Sequence, residues 1–309
     1  MPSLKIDTSR VAVAGLSSGA YMATQAHMAL NERIHGAALY SGGPYGCAQG
    51  NLDRALGPCM KADAAAPELS GLVANAKERA EAGEIDPLSS LQFDRVFIFH
   101  GTNDAVVNPA LSALSAALYR ELGGSTAQVT LDDQRPIGHT FPTLATGSAC
   151  EVTESPFLGK CGVDGAGEGL RALFGAQGEP SAEPKGRLLS FNQAALFGED
   201  EGTGLAETGY AYIPTSCEPG GCGALLVFHG CQQNAESVGE AFVRDAGFNR
   251  WADLYQLVVV YPQTRSSYVP LNPKACWDWW GYSGTDYDTR EGTQVRFVAS
   301  LLDRLAASP

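Results

Sequence analysis

The sequence is short of long hydrophobic runs, of positive charge and of histidine. No run of about 18 apolar residues occurs in the chain, which argues against a membrane-spanning helix. Lys and Arg number 21 against 34 Asp and Glu, so the formal net charge is −13 and no basic field is available to attract nucleic acid or an anionic membrane. Only five histidines are present, which leaves few candidates for a catalytic base.

Length and composition indicate one enzyme-sized unit. With 309 residues, 44% of them hydrophobic, the chain can bury a substantial core, and α/β proteins of this length commonly form one domain. Residues 176–187 (AQGEPSAEPKGR) are polar and rich in Gly and Pro, which is typical of a linker. We expect a single catalytic domain over 1–309, with no separate substrate-binding domain.

The cysteines favour export. Their even number fits four disulfides, and proximity in sequence suggests the pairs Cys47/Cys59, Cys150/Cys161, Cys217/Cys222 and, by remainder, Cys231/Cys276. A metal site is the weaker alternative, because no C-x2-C pair occurs and no His stands at ligand spacing from a cysteine pair. The segment after Met1 is too polar for a secretion signal, so we expect a secreted protein whose signal has been removed.

Strand-like and helix-like segments alternate along the chain. Apolar, β-branched runs predict strands at Val11–Ala14, Ala37–Tyr40, Val96–Phe99, Ala127–Leu131, Leu225–Phe228 and Leu257–Tyr261. Between several of them, helices are predicted at Ala20–Asn31, Ala110–Leu122, Val238–Leu254 and Glu291–Ala307. This alternation predicts an α/β protein with a mostly parallel sheet and helices on both faces.

A serine motif follows the first predicted strand. The strand Val11–Ala14 leads into GLSSG and then into the helix-like AYMATQAHMAL, which gives G-x-S-x-G in a strand–turn–helix setting. A sharp turn that lifts a serine above a sheet requires small residues where strand and helix backbones nearly touch. Ser17, at the centre of the motif, is the candidate nucleophile of an α/β-hydrolase. Ser18 competes with it, and the alternative is a Gly-rich turn with no catalytic role.

A serine nucleophile requires a histidine base, which in this fold class comes last in the order Ser, acid, His. His139 stands in the loop PIGHTFP soon after the predicted strand Ala127–Leu131, where the last catalytic loop is expected. His27 falls in the helix after the motif, and the other early histidines, His35 and His100, precede the best candidate acid. His139 is therefore the predicted base, with His229 as the remaining alternative.

The acid that orients the base is sought at the carboxyl end of a strand, where α/β sheets gather their sites. Asp104 follows the apolar strand Val96–Phe99 in the segment HGTND. Asp132 and Asp133 compete, but they lie so close before His139 that acid and base would come from one strand end. Asp104 is the predicted acid, although a single loop Asp is often only a turn or helix cap.

Two backbone N–H groups are expected to form an oxyanion hole. One belongs to Ser18, the residue after the nucleophile, and the other is sought in a loop that begins with His-Gly. The segment LLVFHGCQ supplies such a loop, with the Cys231 N–H as donor and His229 as a structural histidine. In an ordinary α/β-hydrolase this strand precedes the serine motif, whereas here it follows long after it, so the chain is predicted to be circularly permuted.

Together these segments resemble the family of extracellular poly(3-hydroxybutyrate) depolymerases, in its circularly permuted single-domain form. The resemblance is carried by GLSSGAYMA, SGGPYGC, HGTNDAVVNP, GHTFPT, VDGAG, FHGCQQ, GFNRWAD and CWDWWGY. It implies an α/β-hydrolase fold in which 176–187 joins the ancestral termini. It also implies the same catalytic set, Ser17, Asp104 and His139, and the same oxyanion donors. One departure is Ala20, where GLSSGG is the more usual continuation.

The resemblance implies a secreted serine esterase that hydrolyses poly(3-hydroxybutyrate) or its oligomers and requires no cofactor and no metal. A neutral, water-insoluble polyester needs an apolar binding surface, and the candidates for it are Trp277, Trp279, Trp280 and Tyr282. These aromatics are equally well explained as core packing beside Cys276. Alternative functions are a feruloyl or acetyl esterase with the same triad, an inactive polymer-binding homologue and, less favoured, an amidase or peptidase.

Overall fold

The centre of the fold is an eight-stranded sheet in the order β4-β3-β2-β1-β10-β11-β9-β8. The computed structural model describes residues 1–62, 67–197 and 203–308. Its strands are β1 (Val11–Leu16), β2 (Gly36–Tyr40), β3 (Arg95–Phe99), β4 (Gln128–Asp132), β5 (Phe141–Thr143), β6 (Ser148–Ala149), β7 (Leu158–Lys160), β8 (Arg187–Asn192), β9 (Thr208–Ile213), β10 (Gly223–Phe228) and β11 (Leu257–Tyr261). In that spatial order, neighbouring strands from β4 through β3, β2, β1 and β10 to β11 are parallel, whereas β9 runs antiparallel to both β11 and β8. The short strands β5, β7 and β6 form a second sheet.

Helices cover both faces of the large sheet. They are α1 (Ser18–Ala29), α2 (Leu52–Leu56), α3 (Pro58–Lys61), α4 (Leu69–Glu81), α5 (Pro109–Gly123), α6 (Gly165–Phe174), α7 (Ala194–Phe197), α8 (Ala235–Val238), α9 (Ala241–Asp245), α10 (Phe248–Tyr255) and α11 (Thr293–Ala306). One hydrophobic core lies between the sheet and α1, α4, α5 and α11, and a second lies between the sheet and α6, α9 and α10. In the described ranges, no helix is both long and apolar enough to cross a membrane.

The central strands are apolar along their whole length because both of their faces are covered. Along β1, Val11 and Val13 belong to the core under α1, whereas Ala12 and Ala14 belong to the core under α6. Every residue of β1, β10 and β11 is buried, whereas the edge strand β4 has none in that class. The sequence pattern of short continuous apolar runs follows from this two-sided burial.

The predicted fold class is confirmed, and one predicted helix is wrong. The six predicted strands and three of the four predicted helices correspond to observed elements within two residues or so at most ends. The fourth helix, predicted over Val238–Leu254, is instead divided into α9 and α10. Gly247 separates them at a φ of 98°, a backbone conformation that glycine adopts without steric cost but that ends a helix. Helices α4 and α6 and the antiparallel strands β8 and β9 were not predicted.

The strand order shows the circular permutation. If the chain began at β8, then β10 would be the third strand and β1 the fifth. In α/β-hydrolases the loop after the third strand supplies an oxyanion donor and precedes the nucleophile in the chain. Here the same loop follows β10 and comes after the serine motif in sequence, although β10 and β1 lie side by side in the sheet.

The helix that follows the serine motif approaches the sheet so closely that only glycine fits at two positions. A Cβ added to Gly15 would overlap the carbonyl oxygen of Gly19, and a Cβ added to Gly19 would overlap the carbonyl oxygen of Phe228 in β10. Both obstacles are backbone atoms, which cannot rotate away as a side chain does. The two glycines of G-x-S-x-G therefore set the distance between α1 and its neighbouring strands.

We expect Gly19→Ala to lower the free energy of unfolding by about 3 kcal/mol or more, since α1 must move away from β10. Gly71→Ala is the matched control. Gly71 lies in the exposed part of α4 with no atom near its missing Cβ, and alanine there should raise stability by about 0.5–1 kcal/mol. Urea unfolding of both variants measures the difference. Equal stability of the two would contradict the close approach at Gly19.

Candidate active site

Ser17 stands on a strained turn between β1 and α1. Its φ is 57° and its ψ is −121°, a combination that residues other than glycine rarely adopt. The turn is held by the Ser17 N–H, which donates to the Tyr40 carbonyl at 2.9 Å, and by the Ser17 carbonyl, which accepts from Ala20 and Tyr21 at the start of α1. The strain is thus offset by hydrogen bonds on both sides of the serine, and the hydroxyl is left pointing away from the sheet toward His139.

The structure brings Ser17, His139 and Asp104 into one hydrogen-bonded line. His139 Nδ1 lies 2.6 Å from Asp104 Oδ2, and His139 Nε2 lies 2.9 Å from Ser17 Oγ. An ionised carboxylate only accepts, so Nδ1 carries the proton and Nε2 of the neutral ring accepts from the serine hydroxyl. Ser17 follows β1, Asp104 follows β3 and His139 lies between β4 and β5, so the three meet at the carboxyl edge of the sheet.

The Asp104 carboxylate is held from four directions. Oδ1 accepts the backbone N–H groups of Val106 and Val107, each at 2.9 Å. Oδ2 accepts from His139 and lies 3.1 Å from Nε2 of His100, a histidine that sequence reasoning set aside. Burial by itself raises the pKa of Asp104, but hydrogen bonds and charge from His100 and His139 outweigh it and hold that pKa well below its usual value. The carboxyl group is therefore ionised near neutral pH.

Two backbone N–H groups belong to residues that line the cavity beside Ser17. The Ser18 N–H is the first of helix α1, and a helix leaves its first N–H groups without an intrahelical partner. The Cys231 N–H lies in the loop after β10, and Cys231 lines the same cavity as Ser17 and Ser18. Among the residues that the structure describes, neither N–H has a hydrogen-bond partner. The arrangement therefore offers two donors to an oxygen bound next to the serine.

The direction of the Cys231 N–H is fixed through His229. The Thr264 backbone N–H donates to His229 Nε2 at 3.2 Å, so the ring proton is on Nδ1, which donates to the Gly230 carbonyl at 2.7 Å. Across a planar trans peptide, the Gly230 C=O and the Cys231 N–H point in opposite directions, so anchoring one aims the other. Burial lowers the pKa of His229 to about 4, which keeps the ring neutral near pH 7.

All four disulfides connect the cysteines that sequence proximity paired, namely Cys47–Cys59, Cys150–Cys161, Cys217–Cys222 and Cys231–Cys276. The last of these joins the loop after β10 to the CWDWW segment. The backbone N–H of the next residue, Trp277, donates to Ser18 Oγ at 3.4 Å, so the disulfide connects Cys231 to the segment that contacts Ser18.

A cavity of about 420 Å³ opens beside Ser17 and is mainly apolar. Of the four aromatics proposed to bind substrate, Trp279 and Trp280 line it, and Trp279 stacks on Tyr21 with ring centroids 4.4 Å apart. Trp277 and Tyr282 do not line it. Trp277 is fully buried against Phe228 and His229, and the Tyr282 hydroxyl donates to the Cys276 carbonyl, so these two serve packing and hydrogen bonding instead.

The cavity is also lined by apolar residues to which the sequence analysis assigns no role. They include Leu52, Leu56 and Met60 from α2 and α3, with Val106 from the Asp104 loop. Met60 packs against the same buried cluster as Trp280. The one sequence signal for this part of the cavity is the pair Cys47/Cys59, which closes a loop that begins at the last residue of the SGGPYGC segment.

Comparisons with known proteins place this site in a family, although no family model matches the sequence. A poly(3-hydroxybutyrate) depolymerase of Delftia acidovorans is 36% identical over 313 residues, which cover 99% of this chain and 62% of the relative. A polyhydroxybutyrate depolymerase of Talaromyces funiculosus is 30% identical over 326 residues, which cover 99% of this chain and 92% of the relative. The chain thus spans about three fifths of the bacterial relative and nearly all of the fungal one.

Solved structures agree with these relatives. The crystal structure of a PHB depolymerase from Penicillium funiculosum superposes with a TM-score of 0.90 at 28% identity, covering 99% of this chain and 98% of that one. A serine-to-alanine variant of PHB depolymerase in complex with an R3HB trimer superposes with a TM-score of 0.91 at 29% identity and the same coverage.

A mostly parallel sheet covered by helices, with a serine on the turn after its central strand, defines an α/β-hydrolase. Within that class, the chain belongs to the poly(3-hydroxybutyrate) depolymerase family. The resemblance found in the sequence motifs is thereby confirmed.

We expect the double variant Cys231→Ser/Cys276→Ser to lose ester hydrolysis mainly through kcat, because the Cys231 N–H loses its fixed place. The disulfide closes a loop of 45 residues, so its loss should also cost about 4 kcal/mol of unfolding free energy. Kinetics with a soluble nitrophenyl ester and a urea titration measure both effects.

Cys217→Ser/Cys222→Ser is the control, since this disulfide lies at the start of β10, away from the cavity, and spans only 5 residues. Loss of this disulfide should lower the free energy of unfolding by about 2 kcal/mol and leave kcat unchanged at a temperature where the protein is folded. An equal fall of kcat in both double variants would show that the effect is one of stability alone.

Proposed function

We propose that the protein is a serine esterase that hydrolyses the ester bonds of poly(3-hydroxybutyrate) or its oligomers through an acyl-enzyme. The observation that carries this proposal is the line Ser17–His139–Asp104 at the border of an apolar cavity. The names of the relatives and the R3HB trimer bound by one of them support the choice of polyester among possible esters.

In the proposed mechanism, His139 Nε2 takes the proton of Ser17 as its oxygen attacks the ester carbonyl. Asp104 keeps the imidazole oriented and stabilises the cation that forms. The carbonyl oxygen becomes negative and accepts hydrogen bonds from the Ser18 and Cys231 N–H groups, which are preorganised for it. His139 then donates its proton to the departing alcohol, and water repeats the sequence to release the acid.

An apolar surface next to the cavity supports a water-insoluble substrate. Leu56 and Leu271 line the cavity and are about half exposed, while Tyr268 and Val269 are 80% and 89% exposed. The last two stand in the turn that the pairing of Ser267 with Asn272 closes, beside Leu271. We call Leu56, Tyr268, Val269 and Leu271 the apolar rim. Exposed large apolar side chains grouped in this way are typical of binding surfaces.

We also propose that the chain is one catalytic domain in which residues 176–187 join the ancestral termini. Residues 176–186 belong to no helix or strand and are mostly exposed, and β8 begins at Arg187. Four disulfides further support export, because such bonds persist in oxidising compartments.

We expect Ser17→Ala to abolish clearing of a poly(3-hydroxybutyrate) suspension and to reduce hydrolysis of a short nitrophenyl ester at least about ten-thousand-fold, as loss of a serine nucleophile does. Ser18→Ala is the matched variant, because it keeps its backbone N–H and should stay within about tenfold of the parent. Ester hydrolysis without clearing by the parent would point to a feruloyl or short-chain esterase. Activity that survives in Ser17→Ala would refute the assigned nucleophile.

We expect Tyr268→Ser/Val269→Ser to bind and clear polyester granules several-fold more weakly while hydrolysing the soluble ester at a near-parental rate, since these two residues of the apolar rim are highly exposed and do not line the cavity. Phe93→Ser is the control: this side chain is 75% exposed but lies just before β3, at the opposite end of the sheet. A granule sedimentation assay measures adsorption. If Phe93→Ser weakens adsorption as much as the double variant, the apolar rim has no special role.

A further inference from the structure

His100 is a fully buried histidine at the end of β3 whose side chain reaches the acid of the site. Its backbone N–H continues the pairing of β3 with β4 by donating to the Asp132 carbonyl. Its Nε2 lies 3.1 Å from Asp104 Oδ2 and 2.9 Å from the Val107 carbonyl, and its Nδ1 lies 2.6 Å from Ser112 Oγ in α5. The ring is therefore clamped between the Asp104 loop and a helix.

The contacts of His100 fix where its proton is. Nε2 faces an ionised carboxylate and a carbonyl, both of which only accept, so Nε2 carries a hydrogen. Nδ1 lies 2.6 Å from Ser112 Oγ, and the Ser112 hydroxyl also lies 3.1 Å from the Gly42 carbonyl, to which it donates. Through its Nε2–H, His100 donates to the same oxygen, Oδ2, that accepts from His139 Nδ1.

We propose that His100 is a positioning residue for the reaction: its Nε2–H holds Asp104 Oδ2 in the direction of His139 and shares the negative charge of that oxygen. This inference rests on the proposed roles of Asp104 and His139. The two Val N–H groups fix Oδ1 alone, about which the carboxylate is free to tilt, and the His100 donor removes this freedom. Orientation within a few tenths of an ångström is what the proton transfer from Ser17 requires.

The second effect of His100 is on basicity. The titratable groups that face Asp104 are His100, His139 and the buried Tyr21. A carboxylate that loses a hydrogen-bond donor becomes more basic and stabilises the protonated form of His139 more strongly. Neutral His139, which the reaction needs, then appears only at higher pH. Without His100, the acid limb of kcat/KM should therefore move to higher pH.

Two variants of similar polarity separate positioning from packing. His100→Gln places an amide N–H near the former Nε2 and keeps a donor for Asp104. His100→Asn is shorter, keeps a polar contact for Ser112 and leaves Oδ2 without its second donor. We expect the Asn variant to lower kcat for a soluble nitrophenyl ester about tenfold, with little change in KM, and to shift the acid limb up by about half a unit to one unit. The Gln variant should recover most of the parental kcat and most of the parental position of the acid limb.

A second readout does not depend on turnover. The proton shared between His139 Nδ1 and Asp104 gives a separate NMR resonance, which should move in the Asn variant and not in the Gln variant. If the Asn variant does not fold, Ser112→Ala takes its place: it frees the Nδ1 side of His100 and should shift the acid limb in the same direction by a smaller amount. An acid limb that stays at the parental pH, in His100→Asn or in Ser112→Ala, would overturn the proposal. A parent that does not hydrolyse the ester would instead refute the proposed function.

Discussion

The close contact of helix α1 with strand β10 is the constraint on which the site depends. Because Gly19 brings the first turn of α1 against the Phe228 carbonyl, Ser17 is forced into its positive-φ turn and the Ser18 N–H emerges beside the loop that follows β10. The serine, one N–H donor and the loop that carries the other donor are thus placed by backbone contacts rather than by side-chain rotamers. A site built from backbone loses little precision to side-chain motion.

The two halves of the chain meet at this contact. The N-terminal half supplies Ser17, Asp104 and His139, and the C-terminal half supplies the loop with Cys231. Parallel pairing of β1 with β10 aligns their carboxyl ends, and the Cys231–Cys276 disulfide then fixes the loop to the segment behind α1. Because sheet position rather than chain order decides which loops are neighbours, permutation leaves the geometry of the site intact.

The sequence predicted those parts of the structure that local chemistry determines. The G-x-S-x-G turn, the apolar parallel strands and the short-range disulfides each have a signal within a few residues. The break at Gly247 was missed, because a single glycine inside a helical pattern does not reveal whether the backbone there turns left-handed. Strand β8 carries a mixed polar pattern because it lies at the edge of the sheet, where only one of its six residues is buried.

Residues whose roles depend on tertiary neighbours were beyond sequence reasoning. Chain order excludes His100 as the catalytic base, because it precedes the acid. In the folded chain its side chain nevertheless contacts Asp104, four residues further on. Trp277 and Trp279 stand two residues apart in the sequence. Trp277 is buried against Phe228, whereas Trp279 lines the cavity. The difference arises from the direction of each side chain in a non-helical segment, which composition does not encode.

Charge and apolar surface have separate tasks in the proposed reaction. A net charge of −13 neither attracts nor repels a neutral polyester, so electrostatic steering, which brings ions to many enzymes, is not available for this substrate. Adsorption then has to come from apolar contact, and covering one large side chain of the apolar rim contributes about 1.5–3 kcal/mol at most. Several such contacts hold the protein at a polymer surface reversibly. The ester carbonyl still has to enter the cavity of about 420 Å³ beside Ser17, which Trp279, Trp280 and residues of α2 and α3 line.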